Sequence, residues 1–246
     1  MIFADSFLAA RTAALLQPYS DDPATKGKLL YTQEELNALV GKVHKANLQL
    51  IIHAMGDQAI DVALTAIQET SETSGKNRRC RLEQAAVLNE GLISRIKQQK
   101  VIVSVQPRVA ASEFSVWAAV DHLGSKRARW LYPLKTLLKE GIRVIGGSDC
   151  PMEPLSPLSG IQAAAARQFF PEERITIDEA LRMYTVNAAY ASFEENIKGS
   201  IKAGKLADIT VISRDPLTVP PNEIENIAVE MTIIGGKVAY SKVPPS

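Results

Sequence analysis

Residues 142–151 combine an apolar, β-branched run with two glycines, Ser148, Asp149 and a proline. An apolar run of this kind predicts a buried strand of a parallel sheet, and the proline prevents further ladder pairing. In α/β barrels and open sheets, ligands and catalytic groups lie at the carboxyl ends of strands. Asp149 is therefore the first candidate for chemistry. The alternative is an aspartate that only caps the loop after the strand.

The same pattern recurs upstream, where predicted strands alternate with helical periodicity. Strands are predicted over residues 48–53, 79–84 and 101–107, and the first two end in His53 and in Glu83 and Gln84. Helices are predicted over residues 32–47, 59–67, 89–99 and 132–140. Residues 107–128 are expected to form a long polar and aromatic loop. Short connections between alternating strands and helices imply right-handed crossovers and a parallel sheet.

The pattern changes after residue 150. Helices are predicted over residues 158–169 and 177–193, and short strands follow from Gly199 onward. The pair Gly235 and Gly236 stands between two apolar runs, which indicates a β-hairpin. The chain is thus expected to contain an α/β part, residues 1–198, and a small all-β segment, residues 199–246.

Composition excludes several classes of protein. The 28 basic residues are balanced by 27 acidic ones, which gives no electrostatic reason to expect nucleic acid or an anionic membrane as a partner. The sequence has no apolar run long enough for a membrane helix and no leader pattern at its start, so we expect a cytoplasmic protein. Cys80 and Cys150 form no CxxC motif and are expected to be buried thiols. A nucleotide-binding sheet is disfavoured because the first strand is not followed by GxGxxG.

Polar side chains close several strands of the predicted sheet. His53, Gln84 with Glu83, and Asp149 each follow a different strand. Imidazole and carboxylate groups that converge from several strands are typical of a metal hydrolase. A histidine that is simply hydrogen-bonded in the fold is the alternative for His53. The other two of the three histidines, His44 in a helix and His122 in the predicted loop, are expected to be solvated.

Short motifs along the whole chain carry a family resemblance. They are Phe3-Ala4-Asp5, His53-Ala54-Met55-Gly56-Asp57, Arg81-Leu82-Glu83, Ser104-Val105-Gln106-Pro107, Gly147-Ser148-Asp149-Cys150-Pro151, Tyr184-Thr185-Val186-Asn187-Ala188 and Gly204-Lys205-Leu206-Ala207-Asp208. With these motifs the chain resembles the carboxyl-terminal part of the amidohydrolase superfamily, in its family 3 (YtcJ-like) branch.

The resemblance implies strands 4–8, approximately, of a TIM-type (β/α)₈ barrel of a metal-dependent hydrolase, followed by part of a β-sandwich. It implies hydrolysis of non-peptide C–N bonds in amide-type substrates by metal-activated water. His53 and Asp149 would bind a divalent, zinc-like metal, and Asp149 would also be the catalytic general base. Glu83, Gln84, Asp57 and Gln106 would contact the substrate or support the metal ligands.

The chain also departs from the family pattern. Gln84 stands where the family has a histidine, Met1 falls on the position of the metal-bridging lysine, and the HxH strand is missing. A glutamine oxygen is a weaker donor than imidazole for zinc-like ions, and two strong ligands fall short of the usual three. The chain alone is therefore expected to be incomplete or inactive, and a chain without bound metal is the alternative to a metal-loaded one.

Five strands of an unclosed barrel would leave two open edges, at residues 2–5 and 144–149, and an uncovered apolar sheet face. Self-association, association with a chain that supplies the other barrel half, or rearrangement into an open sheet would cover them, and we expect association. The alternative function is a catalytically silent remnant that acts as a folded or partner-binding module.

Overall fold

The computed structural model describes residues 1–71 and 78–242, and its main feature is a parallel five-stranded sheet. The strands are β1 (Ile2–Phe3), β2 (Ile51–Ala54), β3 (Arg81–Gln84), β4 (Ile102–Val105) and β5 (Val144–Gly146), in the spatial order of the sequence. All neighbours pair in parallel. The predicted parallel sheet and its two edges, β1 and β5, are thus confirmed.

The two faces of this sheet differ because side chains alternate along each strand. Ile52, Leu82, Val103 and Val144 are fully buried on one face. The register aligns a second row, which belongs to the opposite face: Phe3, His53, Glu83, Ser104 and Ile145. The expectation of an uncovered apolar face is wrong, because His53, Ser104 and Ile145 of this row are buried and the row is mixed rather than apolar.

The helices of the structure are α1 (Gln33–Lys45), α2 (Asp57–Ser71), α3 (Glu90–Gln98), α4 (Pro107–Ser115), α5 (Ala119–Ala128), α6 (Leu134–Lys139), α7 (Pro157–Ala165), α8 (Ile177–Tyr184) and α9 (Val186–Ala191). Thr32 and Glu35 form a reciprocal capping box that starts α1, and Leu36 and Val40 bury the face that packs on the core. Thr176 and Glu179 start α8 in the same way.

The prediction of a loop over residues 107–128 is wrong, because this segment forms two helices, α4 and α5. Pro107 opens α4, where its missing N–H is not needed. Val109, Ala110 and Phe114 then lie on its buried side. The predicted helix over residues 177–193 is two helices, α8 and α9, because Thr185 leaves helical geometry at φ −123° and ψ −96°.

Three predictions of exposure or burial are also wrong. His44 and His122 are buried rather than solvated, and Nδ1 of His122 lies 2.6 Å from a carboxylate oxygen of Asp21. Cys80 is buried as expected, but Cys150 is exposed after the end of β5. The contact between His122 and Asp21 joins positions 101 residues apart in the sequence.

An antiparallel sheet of β6 (Ile209–Ile212), β7 (Val229–Ile234) and β8 (Lys237–Ser241) follows the α/β part. The predicted hairpin is confirmed, with both glycines at positive φ, 56° at Gly235 and 80° at Gly236. Ile224 and Ile227, from the connection before β7, are buried in the main core. Within the described ranges, no helix has the length and apolar character needed to cross a bilayer.

Candidate active site

Gln84 and Asp149 meet at the carboxyl edge of the parallel sheet. Nε2 of Gln84 donates a hydrogen bond to Oδ2 of Asp149 over 3.3 Å. The buried hydroxyl of Tyr132 donates to Oε1 of Gln84 over 2.9 Å. Burial raises the pKa of Tyr132 well above its ordinary value, so the phenol keeps the proton that it donates. The amide oxygen of Gln84 therefore faces tyrosine, and its N–H group faces the carboxylate.

The backbone at both strand ends adopts the left-handed region. Gln84 has φ 68°, the following Ala85 has φ 43°, and Asp149 has φ 57°. Such conformations cost on the order of 1–3 kcal/mol for a residue with a side chain, and they cluster at functional sites. Here they accompany the side-chain contact between the ends of β3 and β5.

His53 lies in β2, where its imidazole ring is buried and its Nδ1 atom makes no hydrogen bond to the described residues. Its Nδ1 is 3.6 Å from Oδ1 of Asp5, which is too long for a hydrogen bond, and it has no other partner among the described residues. Its ring centroid lies 5.0 Å from that of Phe3 and 6.3 Å from that of Phe7. Burial lowers the pKa of His53, although the charges of Asp149 and Glu83 act against it. Burial thus favours the neutral form of the imidazole, and its buried Nδ1 is not hydrogen-bonded within the described part of the chain.

Asp5 is a functional-site neighbour that the sequence prediction missed. Its fully buried carboxylate accepts hydrogen bonds from the backbone N–H groups of Ala14, Met55 and Gly56. Burial raises its pKa to about 6, against the lowering effect of these donors. The carboxylate thus joins the loop after β1 to the turn after His53. An acid directly at the end of a strand was the signal for it.

The remaining predicted residues divide into two groups. Glu83 is paired with Arg81 on its own strand, and Nε2 of Gln106 lies 3.5 Å from the other carboxyl oxygen of Glu83. Asp57 instead stands at the start of α2, where it accepts from the backbone N–H groups of Leu16 at 2.8 Å and Gln58 at 3.0 Å. Asp57 therefore holds the local backbone by these bonds.

Asp149 and Gln84 lie on the wall of an open cavity of about 250 Å³. The side chains of Phe7, Met55 and Trp117 form apolar parts of the cavity wall. Glu113 of α4 lies on the same wall, although the sequence prediction placed that position in a loop. The helical spacing of Val109, Glu113 and their apolar neighbours was the available signal.

The residues present do not form a complete metal site. Asp149 offers a carboxylate and His53 a neutral imidazole, but Gln84 gives its oxygen to Tyr132. Over the described part of the chain, no three His, Cys, Asp or Glu side chains are grouped so that they could hold an ion. Catalytic zinc usually takes three protein ligands. The divalent metal implied by the family thus does not fit these residues alone.

Comparison with solved structures defines the class of protein. An uncharacterized metal-dependent hydrolase from Pyrococcus furiosus superposes with a TM-score of 0.80 at 35% identity, over 88% of this chain and 44% of that one. The sequence model of the amidohydrolase family matches residues 1–240, and the chain therefore belongs to the amidohydrolase family.

Two relatives extend this comparison. YtcJ of Bacillus subtilis (strain 168), named as an amidohydrolase, is 36% identical over 98% of this chain and 46% of its own length. N-substituted formamide deformylase of Arthrobacter pascens is 32% identical over 88% of this chain and 41% of its own length. The chain thus spans less than half the length of each of these relatives.

Proposed function

We propose that this chain contributes a hydrolase site for non-peptide C–N bonds in small amides, with Asp149 as the catalytic proton acceptor. The observation that carries this proposal is the carboxylate of Asp149, held by Gln84 on the wall of a cavity at the strand ends. Membership of the amidohydrolase family supports the reaction class. The relative from Arthrobacter pascens suggests N-substituted formamides as the first substrates to test.

The chemistry assigned to this chain is a proton transfer. Asp149 accepts a proton from the water that attacks the amide carbonyl carbon, and it returns that proton to the leaving nitrogen as the C–N bond breaks. The products are a carboxylic acid and an amine. Glu83 and Gln106 lie at the same edge of the sheet and are proposed to contact the substrate or the catalytic groups.

The family's divalent metal would need donors beyond His53 and Asp149. We propose that these donors come from a second copy of the chain or from another polypeptide segment that completes a (β/α)₈ barrel against the edge strands β1 and β5. The half-exposed ring of Phe3 on β1 supports an association there. The family resemblance also implies a β-sandwich, and we propose that β6, β7 and β8 form part of it. Light scattering after size-exclusion chromatography tests this: a monodisperse monomer contradicts self-association.

A silent, partner-binding module is the second candidate function. The contact between Gln84 and Tyr132 favours it, because the side chain at the family's histidine position is engaged in a neutral hydrogen bond. It predicts a folded protein without hydrolytic activity.

A substrate screen separates the two functions. The purified chain, alone and mixed with a polypeptide segment that supplies the other barrel half, is incubated with N-substituted formamides and acetamides, with and without added Zn²⁺, Mn²⁺ or Co²⁺, and released amine is quantified. Amine released above the uncatalysed rate supports the hydrolase. No release under any condition contradicts the hydrolase proposal and supports the silent module.

A further inference from the structure

The cavity beside Asp149 combines apolar walls with acidic side chains. Phe7, Met55, Val109, Trp117 and Met152 line it together with Gln84, Glu113 and Asp149. Within the part of the chain that the structure describes, no Lys, Arg or His lines this cavity. A ligand that fills it meets aromatic and thioether surface on one side and carboxyl groups on the other.

Glu113 is the least satisfied of these acidic groups. Glu113 is only 2% exposed, and its Oε2 atom has no hydrogen-bond partner among the described residues. A buried carboxylate without a partner is costly, whereas a paired one is tolerated. Burial accordingly raises the pKa of Glu113 to about 7. A cation bound in the cavity would supply the partner that the protein itself does not provide.

We propose that this cavity binds small organic ammonium ions that carry an aromatic or other large apolar group, with Glu113 as the specificity-determining residue. The carboxylate of Glu113 pairs with the ammonium group, and the rings of Phe7 and Trp117 contact the apolar part. Aromatic faces attract cations as well, which adds to the preference. In the context of the proposed function, such an ammonium ion is the amine product of amide hydrolysis.

The local charge distribution supports a cation over an anion. Beside the dominant effect of burial, the charges of Glu113, Asp149 and Asp5 all raise the pKa of Tyr132, so three carboxyl groups act on the same region. An anionic ligand would meet repulsion from these groups, and a neutral ligand would leave Glu113 without a charged partner. The expected order of affinity is ammonium, then neutral, then anionic analogue.

Tryptophan fluorescence gives a direct test. The chain has two tryptophans, of which Trp117 lies on the cavity wall. In a Trp130→Phe background, the emission of Trp117 is titrated with 2-phenylethylammonium, 2-phenylethanol and phenylacetate at pH 8. The ammonium ion is expected to bind at least about tenfold more tightly than the alcohol, and phenylacetate more weakly than either.

The variant Glu113→Gln keeps the side-chain shape and removes the charge. It is expected to weaken ammonium binding at least about tenfold and to leave the affinity for the alcohol unchanged within about twofold. Glu90→Gln, at an exposed position of α3, is the matched control and should bind like the parent. Unchanged ammonium binding in Glu113→Gln overturns the inference.

The ligand series on the unsubstituted cavity is decisive even where Glu113→Gln does not fold. Equal affinities for the ammonium ion and the alcohol also overturn the inference. The titration requires no turnover, so its failure is distinguishable from failure of the hydrolase proposal. If the protein binds the ammonium ion but releases no amine from amides, only the proposed function is contradicted.

Discussion

The side-chain amide of Gln84, at the end of β3, donates across 3.3 Å to the carboxylate of Asp149, which lies beyond the end of β5, although β3 and β5 do not pair with each other. Strand β4 lies between them, so the contact spans the carboxyl edge of the sheet. Tyr132 fixes the amide from the other side at 2.9 Å. Asp149 is one of three residues in a hydrogen-bonded arrangement whose other two members, Gln84 and Tyr132, come from distant stretches of the chain.

Breaking this arrangement should destabilise the fold. Gln84→Leu leaves the buried hydroxyl of Tyr132 without its acceptor, and we expect the free energy of unfolding to fall by about 1–3 kcal/mol. Urea denaturation measures the change. Tyr132→Phe provides the control, because its cost should be smaller in the Gln84→Leu background than in the parent. Strictly additive effects of the two substitutions would contradict the coupling.

The buried carboxylate of Asp5 should stabilise the fold, because three backbone N–H groups donate to it. Asp5→Asn replaces one acceptor oxygen by an N–H₂ group that faces backbone donors, so buried N–H groups lose their partner. We expect a loss of about 3 kcal/mol in the free energy of unfolding. Asp121→Asn, at an exposed position of α5, is the matched control and should change it by less than about 0.5 kcal/mol. Equal stability of the two variants would refute this role for Asp5.

Glu113 should make stability dependent on pH. Its pKa is raised from 4.5 to about 7 in the folded protein, so the folded state holds the proton more tightly than the unfolded state. The associated stability is fully present below pH 4.5 and is lost as pH rises through about 7. The loss is on the order of 3 kcal/mol.

The comparison of parent and Glu113→Gln isolates this effect from Asp5, whose raised pKa acts in the same direction. The difference in unfolding free energy, variant minus parent, should increase between pH 5 and pH 8, because only the parent must bury a charge there. A difference that stays constant over this range would show that Glu113 titrates normally.

The metal affinity of the chain should respond to a third donor at position 84. Gln84→His places an imidazole beside Asp149, and we expect it to raise the affinity for Co²⁺ at least about tenfold over the parent, since imidazole is the better ligand. Isothermal titration calorimetry and the visible spectrum of Co²⁺ measure this. Gln84→Asn is the control that retains an amide. Equal Co²⁺ affinities in the two variants would mean that position 84 does not face the same ion as Asp149.

Sequence reasoning was most successful where local pattern decides structure. The β-branched runs before His53 and Asp149 predicted parallel strands, and parallel strands bring their carboxyl ends to one edge. The two glycines at 235 and 236 similarly predicted their hairpin. These features depend on alternation and backbone conformation, which neighbouring residues already determine.

The rest of the site depends on contacts that no local pattern contains. Tyr132 lies 48 positions from Gln84, and Asp5 lies 50 positions from Met55, yet each pair is hydrogen-bonded. The polar composition of residues 107–128 suggested a loop, which hid Glu113 although it sits on a helix with its carboxyl group buried. Burial by distant elements, rather than residue type, gives Glu113 its chemistry.

The central claim is that Asp149 is the proton acceptor in amide hydrolysis at the strand ends. The most direct measurement is kcat/KM for an N-substituted formamide, in the assembly that releases amine in the substrate screen, with the parent and with Asp149→Asn, using Asp178→Asn on the surface of α8 as the control. We predict that Asp149→Asn lowers kcat/KM at least about 10²-fold through kcat, while Asp178→Asn stays at the parent value. A value for Asp149→Asn within about threefold of the parent would contradict the account.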